Sequence, residues 1–546
     1  MAVILKVGCT NKEPDSKTKT TEAIKVASSL RFTEITDKAG LQHIFQNGES
    51  ADEYAILEII GGGVGVCDFD RDGFLDLYFP TGGQLTDKQV RGIGSGGRLL
   101  RNKANISFEE VTEKASAGCP GFYTHGVSIG DLNNDGFPDI MVTGYSQVAF
   151  LINQGDGTFT GIRQTAQPDR PLWGTSSALG DFNNDGGLDL YVTEYVNWSF
   201  ENHPDCEYRS ARDVCTPGVF TGMDDVVYMN DLDGKFSART KEIGLQPAGK
   251  GLGVLTADFD QDGWIDVYVA NDAVNNYYYK NNVGHFEEVG QMNATAADEE
   301  GMAQGSMGLC AVDFDNDLKL DIFVCNYENQ AFCLYKNDDG SNYRCVSTVA
   351  GLMALGTLNV AWGAVAHDFD LDGDEDIVVT NGHVMRSADP AQQPIVLINS
   401  EKSRFVQQIF SDGYLSKKWR GRGLVAFDFD GDGDHDLLFT HVNQNVALLE
   451  NDTVTSGKWW RLDLVGVTSN RDGIGARIII ESKKRKLLRQ INGGGSYISQ
   501  NPYTVHWGLP ADDTVEKVTI HWPSGQVQVL TDLPHNSRIT IVEPNK

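Results

Sequence analysis

Aspartate is the residue whose spacing could do chemistry in this chain. A nonapeptide, Asp-x-Asp/Asn-x-Asp-Gly-x-x-Asp, recurs seven times. Its positions 1, 3, 5 and 9 are Asp68, Asp70, Asp72 and Asp76 in the first copy and Asp131, Asn133, Asp135 and Asp139 in the second. They are Asp181, Asn183, Asp185 and Asp189 in the third, and Asp258, Asp260, Asp262 and Asp266 in the fourth. The fifth supplies Asp313, Asp315, Asp317 and Asp321, and the sixth Asp368, Asp370, Asp372 and Asp376. Asp428, Asp430, Asp432 and Asp436 complete the set. Oxygen donors at these positions, with a main-chain carbonyl at position 7, suit a hard divalent cation. Two carboxylates 4 Å apart repel by about 4 kcal/mol at an effective dielectric of about 20, so four of them call for a cation. Calcium fits better than magnesium because flexible all-oxygen loops accept its larger shell.

Solvated acidic turns would explain one isolated copy, but not seven that keep acids at 1, 5 and 9. A helix–loop–helix calcium hand needs flanking helices and a glutamate at position 12, whereas strand-like residues follow here. The expectation is up to seven structural Ca²⁺ ions. The fifth copy has Leu318 where glycine stands elsewhere. A branched side chain disfavours positive φ, so that loop is expected to bend less tightly and bind most weakly.

Each copy follows a Gly-rich or small-residue stretch such as GGGVGVC and runs into LYF, IMV, LYV, VYV, IFV, IVV or LLF. These tripeptides are apolar on both faces, as in a strand buried on both sides. Further downstream, LLRNKANISFEEVT, FLINQGDGTF, YYKNNVGHFEEV and LYKNDDGSNYRC each read as strand, turn, strand. Four short strands in a repeat of roughly 60 residues make a propeller blade. The predicted fold is all-β: a seven-bladed β-propeller over residues 30–457, then a small β-domain over 458–546. Residues 32–36 resemble the strand ending each repeat and should complete the last blade, leaving no free edge. In the tail, Val518, Ile520 and Trp522 alternate with polar residues, a half-buried strand pattern. This tail is expected to be removable, or docked on one edge. Its basic run Lys483-Lys484-Arg485-Lys486 reads as a solvated turn or as a patch docking on the acidic propeller or an anionic glycan.

The chain has 546 residues, 45 Lys+Arg against 76 Asp+Glu, and a formal charge of −31. That balance argues against nucleic acid and bare anionic membranes as partners. No run of about 18 uninterrupted apolar residues would span a bilayer. Residues 1–29 read as a polar tether. Val7-Gly8-Cys9 resembles the tail of a bacterial lipobox, with a lipid tether at Cys9, although Lys6 stands where an apolar residue belongs and the upstream apolar stretch is short. Lipid-tethered, ordinarily secreted and cytosolic chains stay open, and calcium loops favour an extracytoplasmic location. Cys206 and Cys215 lie in an insertion and could form a loop disulfide. Cys333 and Cys345 flank a hairpin, while Cys67 and Cys310 read as buried thiols.

The repeats resemble FG-GAP (integrin-α-type) propeller repeats, whose calcium loops have this form. NRDGIGARIII, INGGGSYISQNPYTVHWGL and VTIHWPSGQVQVL resemble the ASPIC/UnbV domain that follows such repeats in cartilage-acidic-protein-like proteins. The resemblance implies a fold and metal sites, and little about biochemical role.

No GxSxG, HExxH or Walker A motif occurs in a strand–helix context, and His383 reads as a turn histidine rather than a base. Two functions remain: a calcium-stabilised binding or adhesion scaffold for protein or glycan, and an enzyme with an active site at the channel mouth. Residues at the starts of the innermost strands would form that mouth: His125, Trp173, Lys250, Trp362, Arg420 and Arg422. Their cations and ring faces would attract an anionic or sugar-like ligand. The competing reading packs the tryptophans between blades and pairs the cations with loop acids.

Overall fold

The computed structural model describes residues 30–104, 107–165, 172–232, 235–400 and 403–545. The tether over 1–29, with Cys9, lies outside them. Seven four-stranded antiparallel sheets follow one another around a ring among the described residues. The innermost strands run Gly65–Cys67, Tyr123–Gly130, Gly174–Gly180, Gly251–Ala257, Ser306–Val312, Ala361–His367 and Gly421–Phe427. Each Asp-rich loop joins the innermost strand of its blade to the second. The second strands are buried on both faces because blades pack on either side of them. In blade 1, Leu77, Tyr78 and Phe79 are all fully buried.

Phe32–Glu34 pairs antiparallel with Ala447–Asn451 as the outermost strand of blade 7. Ile35 then joins Val64 and Leu77 of blade 1 and Val425 and Leu438 of blade 7 in one apolar cluster, which seals the ring between its first and last repeats. The first and last strands of the repeat region thereby close on one another, and no long edge is left open.

Residues 458–545 build two further sheets. Lys458–Val465 lies between Thr504–Leu509 and Ser537–Val542, the latter parallel to it. Arg477–Ser482 pairs with Lys486–Gln490 and Val515–His521, and Val527–Leu530 extends that sheet. Val518, Ile520 and Trp522 point into the core. That core is continuous with blades 2 and 3, since Trp460, Ile474 and Trp507 cluster with Met141, Leu188 and Val192.

The tail is not docked on one edge, as its sequence led us to expect. Its segment 493–501 enters the axis of the ring and meets every blade. Gly493 and Gly494 add a fifth strand to blade 4, opposite Thr256 and Leu255. Ser496 accepts the Leu309 N–H of blade 5 at 3.0 Å and donates its hydroxyl to Leu424 O of blade 7 at 2.6 Å. Ile498 O accepts from Val127 N–H of blade 2 at 3.2 Å, and Ile498 N–H donates to Ser176 Oγ of blade 3. Gln500 exchanges main-chain bonds with Val64 and Val66 of blade 1. The Tyr497 ring lies 4.8 Å from that of Trp362 in blade 6. A Cβ on Gly493 would sit 1.9 Å from Leu179 O, and one on Gly494, at φ +71°, 2.6 Å from Val254 O. The glycines are there because nothing larger fits between the innermost strands.

Candidate metal centres

Two aspartates fold each loop. In the first, Asp68 accepts the N–H groups of Asp72 and Gly73 at 3.0 and 2.9 Å. Asp76 accepts that of Phe69 at 3.0 Å and that of Asn102, on the third strand, at 2.8 Å. The third loop repeats this with Asp181 and Asp189. Positions 1 and 9 are thus held by main-chain donors, while 3 and 5 project their carboxylates across the turn.

The donor sets fit a hard cation. Carboxylate oxygens lie within 4.8 Å of one another in five loops: Asp68, Asp70 and Asp76; Asp258, Asp260 and Asp262; Asp313, Asp315 and Asp321; Asp368, Asp370 and Asp372; Asp428, Asp430 and Asp436. In loops 2 and 3, Asn133 and Asn183 occupy position 3 and donate to Asp135 and Asp185 at 2.9 and 2.8 Å. Asp376 Oδ2 and Asp434 Oδ1 are buried with no hydrogen-bond donor, a costly arrangement that an ion would relieve. Burial pushes Asp76, Asp139 and Asp189 up to about 8, and Asp181 and Asp258 up to about 6. The loops resist being fully ionised by themselves, and a divalent cation among them would reverse that.

Leu318 does not relax its loop. It takes φ +69° and donates its N–H to Asp313 Oδ2 at 3.1 Å, as glycine does elsewhere. The left-handed turn costs a non-glycine residue about 1–2 kcal/mol, and this side chain packs against the core of Leu320, Ile322 and Tyr335. The expectation of a looser bend is corrected.

One repeated residue was missed in the sequence. An asparagine stands at the end of the third strand of every blade, or one residue before it in blade 6: Asn102, Asn153, Asn230, Asn281, Asn337, Asn399 and Asn451. Each donates its side-chain amide to the carbonyl of loop position 2 in the preceding blade. The acceptors are Phe429, Phe69, Leu132, Phe182, Phe259, Phe314 and Phe369 in turn, at 2.7 to 3.3 Å. The signal was present in LLRNK, FLINQ, YYKNN and LYKND, which give only the hairpin when read by pattern alone.

The tail covers the loop face. Gly508 N–H donates to Asp368 Oδ2 at 2.7 Å, and the half-buried Asp472 accepts the Asp131 N–H at 2.7 Å. Arg485 pairs with Asp374 at 3.0 Å and Arg489 with Glu375 at 3.5 Å. Of the basic run, Arg485 alone docks on the ring, while Lys484 and Lys486 pair within the tail with Asp512 and Glu481.

Most of the residues expected at the channel mouth are buried and do not form an open mouth. His125 is fully buried, donates Nδ1–H to Gly61 O and accepts from Trp173 Nε1 at 3.2 Å. Trp173 and Trp362 are each 1% exposed, and Trp362 donates to Gly382 O. Arg422, also 1% exposed, lies 4.1 Å over the Trp362 ring and donates to Ile59 O at 2.8 Å. Arg420 forks onto Glu49 at 2.8 and 2.7 Å, and Lys250 donates to Pro217 O at 2.8 Å. The axis is filled by residues 54–60, by the insertion near Trp198 and by Tyr497, so His125, Trp173, Trp362 and Arg422 are core, while Arg420 stays half-buried on Glu49. His383 is buried with Nε2 3.4 Å from Glu328, and its Nδ1 accepts the Met385 N–H.

Cys206 and Cys215 form a disulfide within that insertion. Cys67, Cys310 and Cys333 are buried free thiols, and Cys345 is half-buried.

The FG-GAP-like repeat pattern matches residues 68–142, 131–192, 258–324, 313–379 and 368–439, and the ASPIC and UnbV pattern matches 466–546. The chain is similar to cartilage acidic protein 1 of Mus musculus, at 26% identity over 52% of this chain and 44% of that protein. The Homo sapiens protein of that name is 24% identical over 52% and 43%. The chain therefore spans less than half the length of these relatives. Among solved structures, an Agrocybe aegerita lectin described as recognising non-reducing terminal N-acetylglucosamine superposes with TM-score 0.39 at 14% identity, covering 83% of this chain and 100% of that one. A Lactobacillus plantarum protein gives 0.38 at 12% identity, covering 66% and 86%.

Proposed function

Because the chain belongs to the FG-GAP-like repeat family and ends in an ASPIC and UnbV domain, we propose that it is a calcium-stabilised extracytoplasmic scaffold that binds protein or glycan ligands. The observation that carries this is the recurrence of one oxygen-donor loop in all seven blades, each tied by asparagine to its neighbour. Ions bound there stiffen the ring and fix the loops that radiate from it. The tail covers the calcium-loop face, so ligands engage the opposite face and the outer rim. On that opposite face stand the disulfide-bearing insertion and the charged network of Glu49, Asp52, Arg386 and Arg420. The disulfide supports an oxidising compartment, and relatives named for cartilage support an extracellular setting. Among the described residues no helix is long and apolar enough to cross a membrane. The sheets on either side support a boundary between ring and tail near 457 and 458.

The test is capture by the immobilised full chain of a glycan array and of matrix proteins, with calcium and with chelator. Capture that disappears on chelation supports the scaffold. Capture indifferent to calcium, or turnover of a captured ligand, contradicts it.

A further inference from the structure

The seven loops differ in one residue that the nonapeptide does not contain. That residue is the one before each asparagine, on the third strand, and in blades 1, 4 and 5 it reaches the loop of its own blade. It is Arg101 in blade 1, Lys280 in blade 4 and Lys336 in blade 5. It is Ile152, Met229 and Ile398 in blades 2, 3 and 6, and Glu450 in blade 7. Each of the three cations bridges loop positions 3 and 5. Arg101 lies 2.6 Å from Asp70 and 2.8 Å from Asp72. Lys280 contacts Asp260 and lies 3.3 Å from Asp262. Lys336 contacts Asp315 and lies 2.8 Å from Asp317, which Lys319 also holds at 2.9 Å.

The other loops have no such charge from that strand position: the tail's Arg471 and Arg461 reach only position 1, at 3.7 Å from Asp131 and 3.9 Å from Asp428, and Arg485 pairs with Asp374 at position 7. Loops 6 and 7 have aspartate at position 7 as well, Asp374 and Asp434. Orphaned buried carboxylate oxygens occur in both groups of loops, Asp376 Oδ2 and Asp434 Oδ1 in loops 6 and 7 and Asp70 Oδ1 and Asp315 Oδ1 in loops 1 and 5, so the bridging cations and not the orphaned oxygens separate them. Glu450 adds its field to Asp430.

We infer that Arg101, Lys280 and Lys336 are built-in counterions that compete with calcium for loops 1, 4 and 5, dividing the seven sites into four tight and three weak. A side-chain ammonium or guanidinium between two carboxylates stands where the ion must contact them. Entry of calcium there requires the side chain to swing out and leaves a positive charge beside a dication. Ligand charge sets the affinity of such loops over several decades, and the added cation lowers it in three of them. The weakness of loop 5 then rests on Lys336 and Lys319, not on Leu318. This inference rests on the calcium reading above.

The experiment is equilibrium calcium binding to the full chain, counted by metal analysis after dialysis and followed by calorimetry. The wild type should show four tight equivalents and three that bind at least about ten-fold more weakly. The triple variant Arg101→Met, Lys280→Met, Lys336→Met should move the weak class into the tight one. As a complement that adds charge, Ile152→Lys should remove one tight equivalent. Seven equivalent sites in the wild type, or an isotherm unchanged in both variants, would overturn the inference and leave the calcium reading standing. No bound calcium in the wild type would overturn both.

Discussion

The side chain of Asn102, in blade 1, donates to the carbonyl of Phe429, in blade 7, across 3.3 Å, so a single amide ties the first repeat to the last. The same bond recurs between every pair of neighbouring blades, and in blades 1 to 5 the asparagine also donates to the residue just before loop position 9. The metal loops and the blade interfaces are therefore one bonded structure.

Replacing one of these asparagines should weaken the ring without touching a metal ligand. Asn337 is fully buried and donates to Phe259 O at 2.9 Å and Leu320 O at 3.2 Å. Asn337→Ala leaves both carbonyls without that donor, and a stability loss of about 1–3 kcal/mol is expected in denaturant unfolding. A midpoint within error of wild type would mean that the interblade bond carries no stability.

The tail should not be separable from the ring. A chain ending at 457 loses segment 493–501 and exposes the innermost strands, so it should be insoluble or lack a cooperative melt. Gly493→Ala places a methyl against Leu179 O and should lower the melting temperature, since overpacking of this kind typically costs about 1–3 kcal/mol. A soluble truncated ring that melts cooperatively would show that the plug is dispensable.

Glu58 makes stability fall as pH rises. It is buried, and burial foremost pushes it from 4.5 up to about 7, with Glu49 and Asp52 adding to the rise and Arg386 opposing it. Between about pH 4.5 and 7 the folded state holds the proton that the unfolded state has released. Stability is therefore lost across that window, by up to about 3 kcal/mol. Glu58→Gln should flatten this part of the stability profile and raise stability at pH 7.5. The same pH slope in wild type and variant would remove Glu58 from the explanation.

The ring was legible in the sequence because its period is written in residues of one type. Asp68 and its six counterparts mark the turn after each innermost strand, and Phe32 to Glu34 carries the pattern of an outermost strand. The insertion of Ser496 to Gln500 into the axis was not legible. Which loop fills a channel depends on a shape made by all seven blades together, and no local pattern records it. Trp173, Trp362 and Arg422 were read as a binding surface for the same reason: inner-strand aromatics look alike whether the axis is open or plugged. Leu318 shows the converse, a propensity overridden by the bond its N–H makes to Asp313.

The most direct measurement is the thermal melt of the metal-free full chain, titrated with calcium while bound ions are counted. With the loops as the ring's main cation sites, calcium should raise the melting temperature progressively, as binding to the folded state stabilises it by about 2.7 kcal/mol per site at a hundred times the dissociation constant. Four or more ions per chain should accompany the rise. A melting curve indifferent to both calcium and chelator, with no ion retained, would contradict it.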